Sequence, residues 1–138
     1  MRIPPIRLLP LLTTAIASIS LIACATNTAS EQKYTNIQIA NQGLSVDRDP
    51  LVQSTCEDFQ LTESQIQSFF NRAKTISEQE LHHGYDLLPC YSEGTLTYQT
   101  QEFHWLIRAG GTGELTNSNK KTNVVCPEKE SGDIQGLH

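Results

Sequence analysis

Residues 94–126 read GTLTYQTQEFHWLIRAGGTGELTNSNKKTNVVC, and this stretch decides the fold. Its central part alternates two sets of side chains, namely Phe103, Trp105 and Ile107 with His104, Leu106 and Arg108. A period of two is typical of β-strands, because successive side chains point to opposite faces of a sheet. Turn residues near 100–102, 110–111 and 117–119 separate the runs. The stretch therefore predicts three or four short strands in an antiparallel meander.

Two helix-start signals precede this meander. Thr62-Glu63-Ser64-Gln65 is a capping box, and the apolar residues that follow it at helical spacing predict a helix over about 63–75. Ser77-Glu78-Gln79-Glu80 is a second capping box, which predicts a short helix of one to two turns. Gly84 can end this helix. Helices followed by strands indicate an α+β domain. We predict one helix plus a short helical turn, packed on a three- to four-stranded antiparallel β-meander.

The alternation over 103–108 also assigns two faces. Phe103, Trp105 and Ile107 are predicted to form the core together with the apolar side of the helix, and an aromatic ligand cleft is the alternative use of these rings. His104 and Arg108 lie on the other face. That face is either a solvent-exposed polar surface without a binding role or a protein-docking surface. In the second case Arg108 is the binding anchor, since arginine and aromatic residues dominate such sites.

The N-terminus carries an export signal. Arg2 and Arg7 are followed by an uncharged apolar run from Leu8 to Ala23, which is typical of a secretory signal peptide and too short for a spanning helix. The run ends in Leu21-Ile22-Ala23-Cys24, which resembles the lipobox of bacterial lipoproteins. The resemblance covers residues 1–24 alone. An ordinary signal peptide, cleaved near Ala23-Cys24-Ala25, is the alternative.

The lipobox resemblance implies cleavage before Cys24 and acylation of that cysteine. Ala25 stands where lipoproteins retained in the inner membrane usually carry aspartate, so the resemblance implies a lipid-anchored protein of the outer membrane that faces the periplasm. Without residues 1–23 the chain keeps 8 basic and 15 acidic side chains, a net charge of −7. This charge argues against nucleic acid and against adhesion to anionic lipid, so the acyl chains on Cys24 would anchor the protein.

The chain divides into four parts. Residues 1–23 are the signal peptide, and residues 24–50 are the lipidated cysteine and a flexible tether that includes a short strand near 35–40. Residues 51–126 form the small α+β domain. Residues 127–138 are charged, lack periodicity and are predicted to be a disordered tail.

Export places the remaining cysteines under oxidising conditions, where Cys56, Cys90 and Cys126 can pair. We favour a Cys56–Cys90 disulfide, because the segment after the helical turn can return the chain to the start of the first helix. In a flat meander Cys126 would lie about 14 Å from Cys90, beyond disulfide reach. Whether the third cysteine stays a thiol or forms a disulfide between two molecules is left open.

The sequence leaves two classes of function. The first is a non-enzymatic envelope module that binds a protein partner or acts as an inhibitor or accessory subunit, with His104 and Arg108 in its binding face. Its element order loosely resembles small lipoprotein accessory subunits and secreted enzyme inhibitors. The alternative is an envelope enzyme or metal-binding protein that uses the cluster His82, His83, Asp86 and Cys90. We predict no cofactor, no metal and no catalytic residue.

Overall fold

The computed structural model describes residues 32–127. The predicted signal peptide, Cys24 and all of the predicted tail except Pro127 lie outside the described residues. The elements in chain order are β1 (Tyr34–Ser45), α1 (Pro50–Cys56), α2 (Glu63–Arg72), β2 (Lys74–Ile76), α3 (Glu78–Gly84), β3 (Cys90–Tyr98), β4 (Gln101–Arg108), β5 (Thr112–Thr116) and β6 (Lys121–Val125).

The strands form one antiparallel sheet of six strands in the order β1-β3-β4-β5-β6-β2. The α+β class is correct, but the predicted count of three to four strands is wrong. Strands β3 to β6 form the antiparallel meander, which the sequence predicted as three to four strands. The two additional strands, β1 and β2, pair with the outer strands of the meander and form the edges of the sheet.

Strand β1 lies within the segment that the sequence assigned to a tether. The short strand predicted near 35–40 is present but runs from Tyr34 to Ser45, so the tether prediction is wrong for the rest of β1. The strand contains register shifts opposite β3, and Asn36 and Gly43 have positive φ angles of 50° and 63°. Such bulges break the period of two, which leaves the buried Tyr34 and Ile37 three residues apart. β2 was missed because its three residues are too few to show any period.

The helices follow the capping signals. Both capping boxes are present, at Thr62 with Gln65 and at Ser77 with Glu80. α2 ends at Arg72, three residues before the predicted end, because the chain turns there to join the sheet as β2. α1 was not predicted, although Asp49 caps it and Pro50 opens it, as these residue types commonly do. Among residues 32–127, no helix is long and apolar enough to cross a membrane.

The main core lies between α2 and one face of the sheet, as predicted. Phe103, Trp105 and Ile107 are buried, and so are the apolar residues of α2, which are Ile66, Phe69 and Phe70. Trp105 lies opposite Gly94 on β3. A Cβ at position 94 would come within 2.9 Å of the indole ring and would overlap the carbonyl oxygen of Gln38. The glycine therefore lets β1, β3 and the indole approach one another.

α3 lies on the opposite side of the sheet from α2. Asn123 neighbours the core residue Val124 on β6 and therefore points away from the core. Its side-chain Nδ2 donates a hydrogen bond of 2.7 Å to Glu78 Oε2 at the start of α3. This contact places α3 over the β6 end of the face that carries His104 and Arg108. On β4 His104 is exposed, and Leu106 and Arg108 are half-buried.

Candidate functional site

The structure confirms the predicted Cys56–Cys90 disulfide, with a Cα–Cα distance of 5.0 Å. The pairing of β1 with β3 sets Ser45 opposite Cys90, and α1 then returns the chain so that Cys56 reaches the start of β3. Cys126 is buried in the main core and takes no part in this disulfide. The bridge therefore ties α1 to the meander across a sequence separation of 34 residues.

The alternative enzyme or metal site depended on the cluster His82, His83, Asp86 and Cys90. The sulfur of Cys90 is bonded to Cys56, so it offers no thiol as nucleophile or metal ligand. His82 Nε2 lies 3.1 Å from Glu78 Oε1, one helical turn back along α3. Within residues 32–127 no group of three or more His, Cys, Asp or Glu residues lies close enough to hold a metal ion. The structure thus does not assemble the chemistry that this alternative needs.

Two carboxylates of α3 have lowered pKa values. The Asn123 amide lowers the pKa of Glu78, and the hydrogen bond with His82 lowers it further. The pKa of Glu80 is lowered by the backbone N–H and then by the hydroxyl of Ser77, the capping-box partner. A general acid at neutral pH needs a raised pKa, so neither carboxylate suits that role. Glu78 instead joins α3 to β6, and Glu80 caps the start of α3.

His104 and Arg108 lie on the same face of β4, as predicted. Together with their cross-strand neighbours they form what we call the polar sheet face, which consists of Tyr91, Glu93, Thr95, His104, Leu106, Arg108 and Glu114. Antiparallel pairing sets Tyr91 opposite Arg108, Glu93 opposite Leu106, and Thr95 opposite His104. His104 and Arg108 are four residues apart and so about 13 Å apart along the strand, with Leu106 between them.

One end of the polar sheet face is organised by a carboxylate. Glu93 Oε2 lies 3.4 Å from His104 Nε2, and its other oxygen accepts a 3.0 Å hydrogen bond from the Asn41 side chain on β1. Glu93 therefore links the edge strand to His104. The His104 side chain is about half exposed (51%), so this pairing contributes little to stability but restricts the orientation of both side chains.

The other end carries an aromatic and cationic pair. The guanidinium carbon of Arg108 lies 5.8 Å from the ring centroid of Tyr91, within the range of a cation–π contact. Both side chains are half-buried. Leu106 is half-buried as well and lies between Arg108 and His104 along β4. The face therefore has a single apolar side chain, Leu106, with Glu93 and Glu114 opposite it on the neighbouring strands and Arg108 and His104 on either side of it along β4.

The sequence missed the first part of β3, and with it two residues of this face. The predicted strand began at Gly94, whereas β3 begins at Cys90, so Tyr91 and Glu93 were not assigned to the sheet. The signal was present, because Tyr91, Glu93, Thr95 and Thr97 continue the period of two through Gly94. Gly94 looked like a boundary, but it is the interior position at which β1 and Trp105 come close.

Comparisons with protein-family models, with curated proteins and with solved structures find no match to this chain.

Proposed function

We propose that this protein is a non-enzymatic binding module of the bacterial cell envelope, anchored to the outer membrane by acyl chains on Cys24, which binds an envelope protein through the polar sheet face. The anchoring half of the proposal is supported by the lipobox-like Leu21-Ile22-Ala23-Cys24. The binding half is supported by the geometry of the face. Inhibitor and accessory-subunit roles are both forms of such binding.

The observation that carries the binding proposal is the arrangement of Arg108 over Tyr91 beside Leu106. Tyrosine and arginine are the residue types that most often anchor protein interfaces. Arg108 also lies against a neighbouring ring before any partner arrives, so less side-chain freedom is lost on binding. The sheet holds all three residues on one rigid surface.

Site-specific photo-cross-linking from intact cell envelopes tests this proposal. A benzophenone amino acid at Leu106 lies in the centre of the polar sheet face, whereas one at the exposed Glu57 lies at the end of α1. We expect position 106 to give one adduct of defined mass, and position 57 to give none. An adduct that forms equally from both positions, or from neither, would contradict binding through this face.

Replacement of Arg108 by alanine is expected to separate binding from folding. Arg108 points away from the main core, so the free energy of unfolding should change by less than about 0.5 kcal/mol, as for most surface substitutions. Partner binding should weaken by more than about 1 kcal/mol if Arg108 is an anchor. Thermal unfolding and the yield of the position 106 adduct measure the two effects. If Arg108→Ala unfolds the domain, the binding-module proposal is wrong.

Replacement of Cys24 by serine tests the anchor. The variant is expected to lose incorporation of radiolabelled palmitate and to leave the membrane fraction, because stable anchoring needs acyl chains that the serine variant lacks. Cys126→Ser is the matched control, since it removes a cysteine without touching the lipobox. Membrane association of Cys24→Ser without label would show that something other than lipid anchors the protein.

A further inference from the structure

A cleft of about 190 Å³ opens on the α2 side of the sheet, away from the polar sheet face. The cleft lies between the end of α2 and the sheet, because it is lined by Phe70 of α2 and by the core residues Leu115 and Val124. Its most prominent lining groups are four rings, those of Tyr34, Phe70, Tyr98 and Phe103. We call this site the aromatic cleft.

The rings of the aromatic cleft are packed against one another. Tyr34 lies 5.6 Å from Phe70 and 5.1 Å from Tyr98 between ring centroids, and Tyr98 lies 6.2 Å from Phe103. These spacings are those of favourable aromatic pairs. Three of the rings are buried, and Tyr98 is half-buried. The cleft is thus bounded by rings held in place, as in a preformed small-molecule site.

Two exposed lysines, Lys33 and Lys120, line the aromatic cleft. Lys33 Nζ lies 5.1 Å from the ring centroid of Tyr34 and 5.3 Å from that of Tyr98. The described residues that line the cleft include no Asp or Glu. Residues 32–127 as a whole carry 7 Lys and Arg against 11 Asp and Glu. The cleft therefore concentrates positive charge on an acidic domain, which favours an anionic ligand.

The size of the cleft limits the ligand. A dry protein cavity of about 150 Å³ binds benzene, so a cleft of about 190 Å³ has room for one aromatic ring or a short branched apolar group. We propose that the aromatic cleft binds a ligand in which one such group carries a carboxylate, with the apolar group among the four rings and the carboxylate at Lys33 and Lys120. This site is separate from the polar sheet face and does not depend on the proposed protein partner.

Calorimetric titration of the full chain with N-acetyl-phenylalanine tests the proposal, with N-acetyl-phenylalaninamide as the neutral control. We expect saturable binding of the acid with a dissociation constant of about 1 mM or below, and binding of the amide at least about tenfold weaker. 3-Phenylpropionate distinguishes two sources of the ligand, which are a small free carboxylic acid and the C-terminus of a peptide. Equal binding of both acids indicates a small free acid, and binding of N-acetyl-phenylalanine alone indicates a peptide C-terminus.

Two variants and one control assign the binding to the aromatic cleft. Lys33→Met with Lys120→Met removes the charges and keeps side chains of similar length, so the preference for the acid over the amide should disappear. Thr75→Phe places a ring at the cleft wall and should abolish binding of both, whereas Thr95→Phe on the polar sheet face should leave the affinity of the acid unchanged. Absence of saturable binding, or an acid preference that survives in the lysine double variant, would overturn the proposal.

Discussion

Replacing Trp105 with alanine is expected to lower the free energy of unfolding by about 3–5 kcal/mol, as for other large aromatic residues removed from cores. The indole is fully buried in the main core. Its Nε1 donates hydrogen bonds to the carbonyl oxygens of Gln38 and Thr95, at 3.2 and 3.0 Å. The variant therefore loses both a large apolar surface and the donor that joins β1 to β3. Urea unfolding followed by far-ultraviolet circular dichroism measures the loss.

Two further variants show which contribution dominates. Trp105→Phe keeps most of the ring packing but leaves the Gln38 and Thr95 carbonyls without this donor, so it should cost about 1–3 kcal/mol. His104→Ala, one residue away on the opposite face, should cost less than about 0.5 kcal/mol. A Trp105→Ala variant about as stable as His104→Ala would mean that the assignment of the two faces of β4 is wrong.

Removing the disulfide is expected to have an effect of similar size. The Cys56→Ala, Cys90→Ala double variant should lose about 4 kcal/mol of unfolding free energy, because a bridge that closes a loop of about 34 residues strongly restricts the unfolded chain. The cost of two buried or half-buried side chains adds to this value. Urea unfolding of the oxidised protein and of the double variant measures the difference.

Reduction of the native protein provides the control. With dithiothreitol present, the native chain should unfold at a much lower urea concentration, though above that of the double variant because it keeps both cysteine side chains. The double variant itself should be insensitive to the reductant. Peptide mapping without reduction should yield one linked pair that contains Cys56 and Cys90. A linked peptide that contains Cys126 would contradict the topology, because Cys126 is buried in the main core on the far side of the meander.

Much of the polar sheet face was predictable from sequence, but its internal contacts were not. The period of two placed His104 and Arg108 on one face because a strand turns each successive side chain to the other side. The same pattern could not show that Glu93 would pair with His104, or that Tyr91 would lie under Arg108. Those contacts depend on the register between β3 and β4, which the turn at Gln99 and Thr100 sets through its two positive φ angles.

The aromatic cleft was even less predictable from the sequence than the polar sheet face. Phe103 was recognised as an inward-facing ring, whereas Tyr34 and Lys33 came from a segment that looked like a tether. Their nearness to Phe103 requires β1 to pair along β3, so that Tyr34 lies opposite Tyr98. No local pattern in the sequence encodes that pairing.

The sequence by itself determined the features that depend on neighbouring residues. These are the two capping boxes, the antiparallel meander and the inward side of β4, since hydrogen bonds within one turn and the alternation of a strand are local properties. Tertiary structure alone decided that β1 and β2 complete the sheet. β1 is bulged and β2 has three residues, so each becomes a strand only because the outer strands of the meander offer unpaired backbone groups to which it can hydrogen-bond.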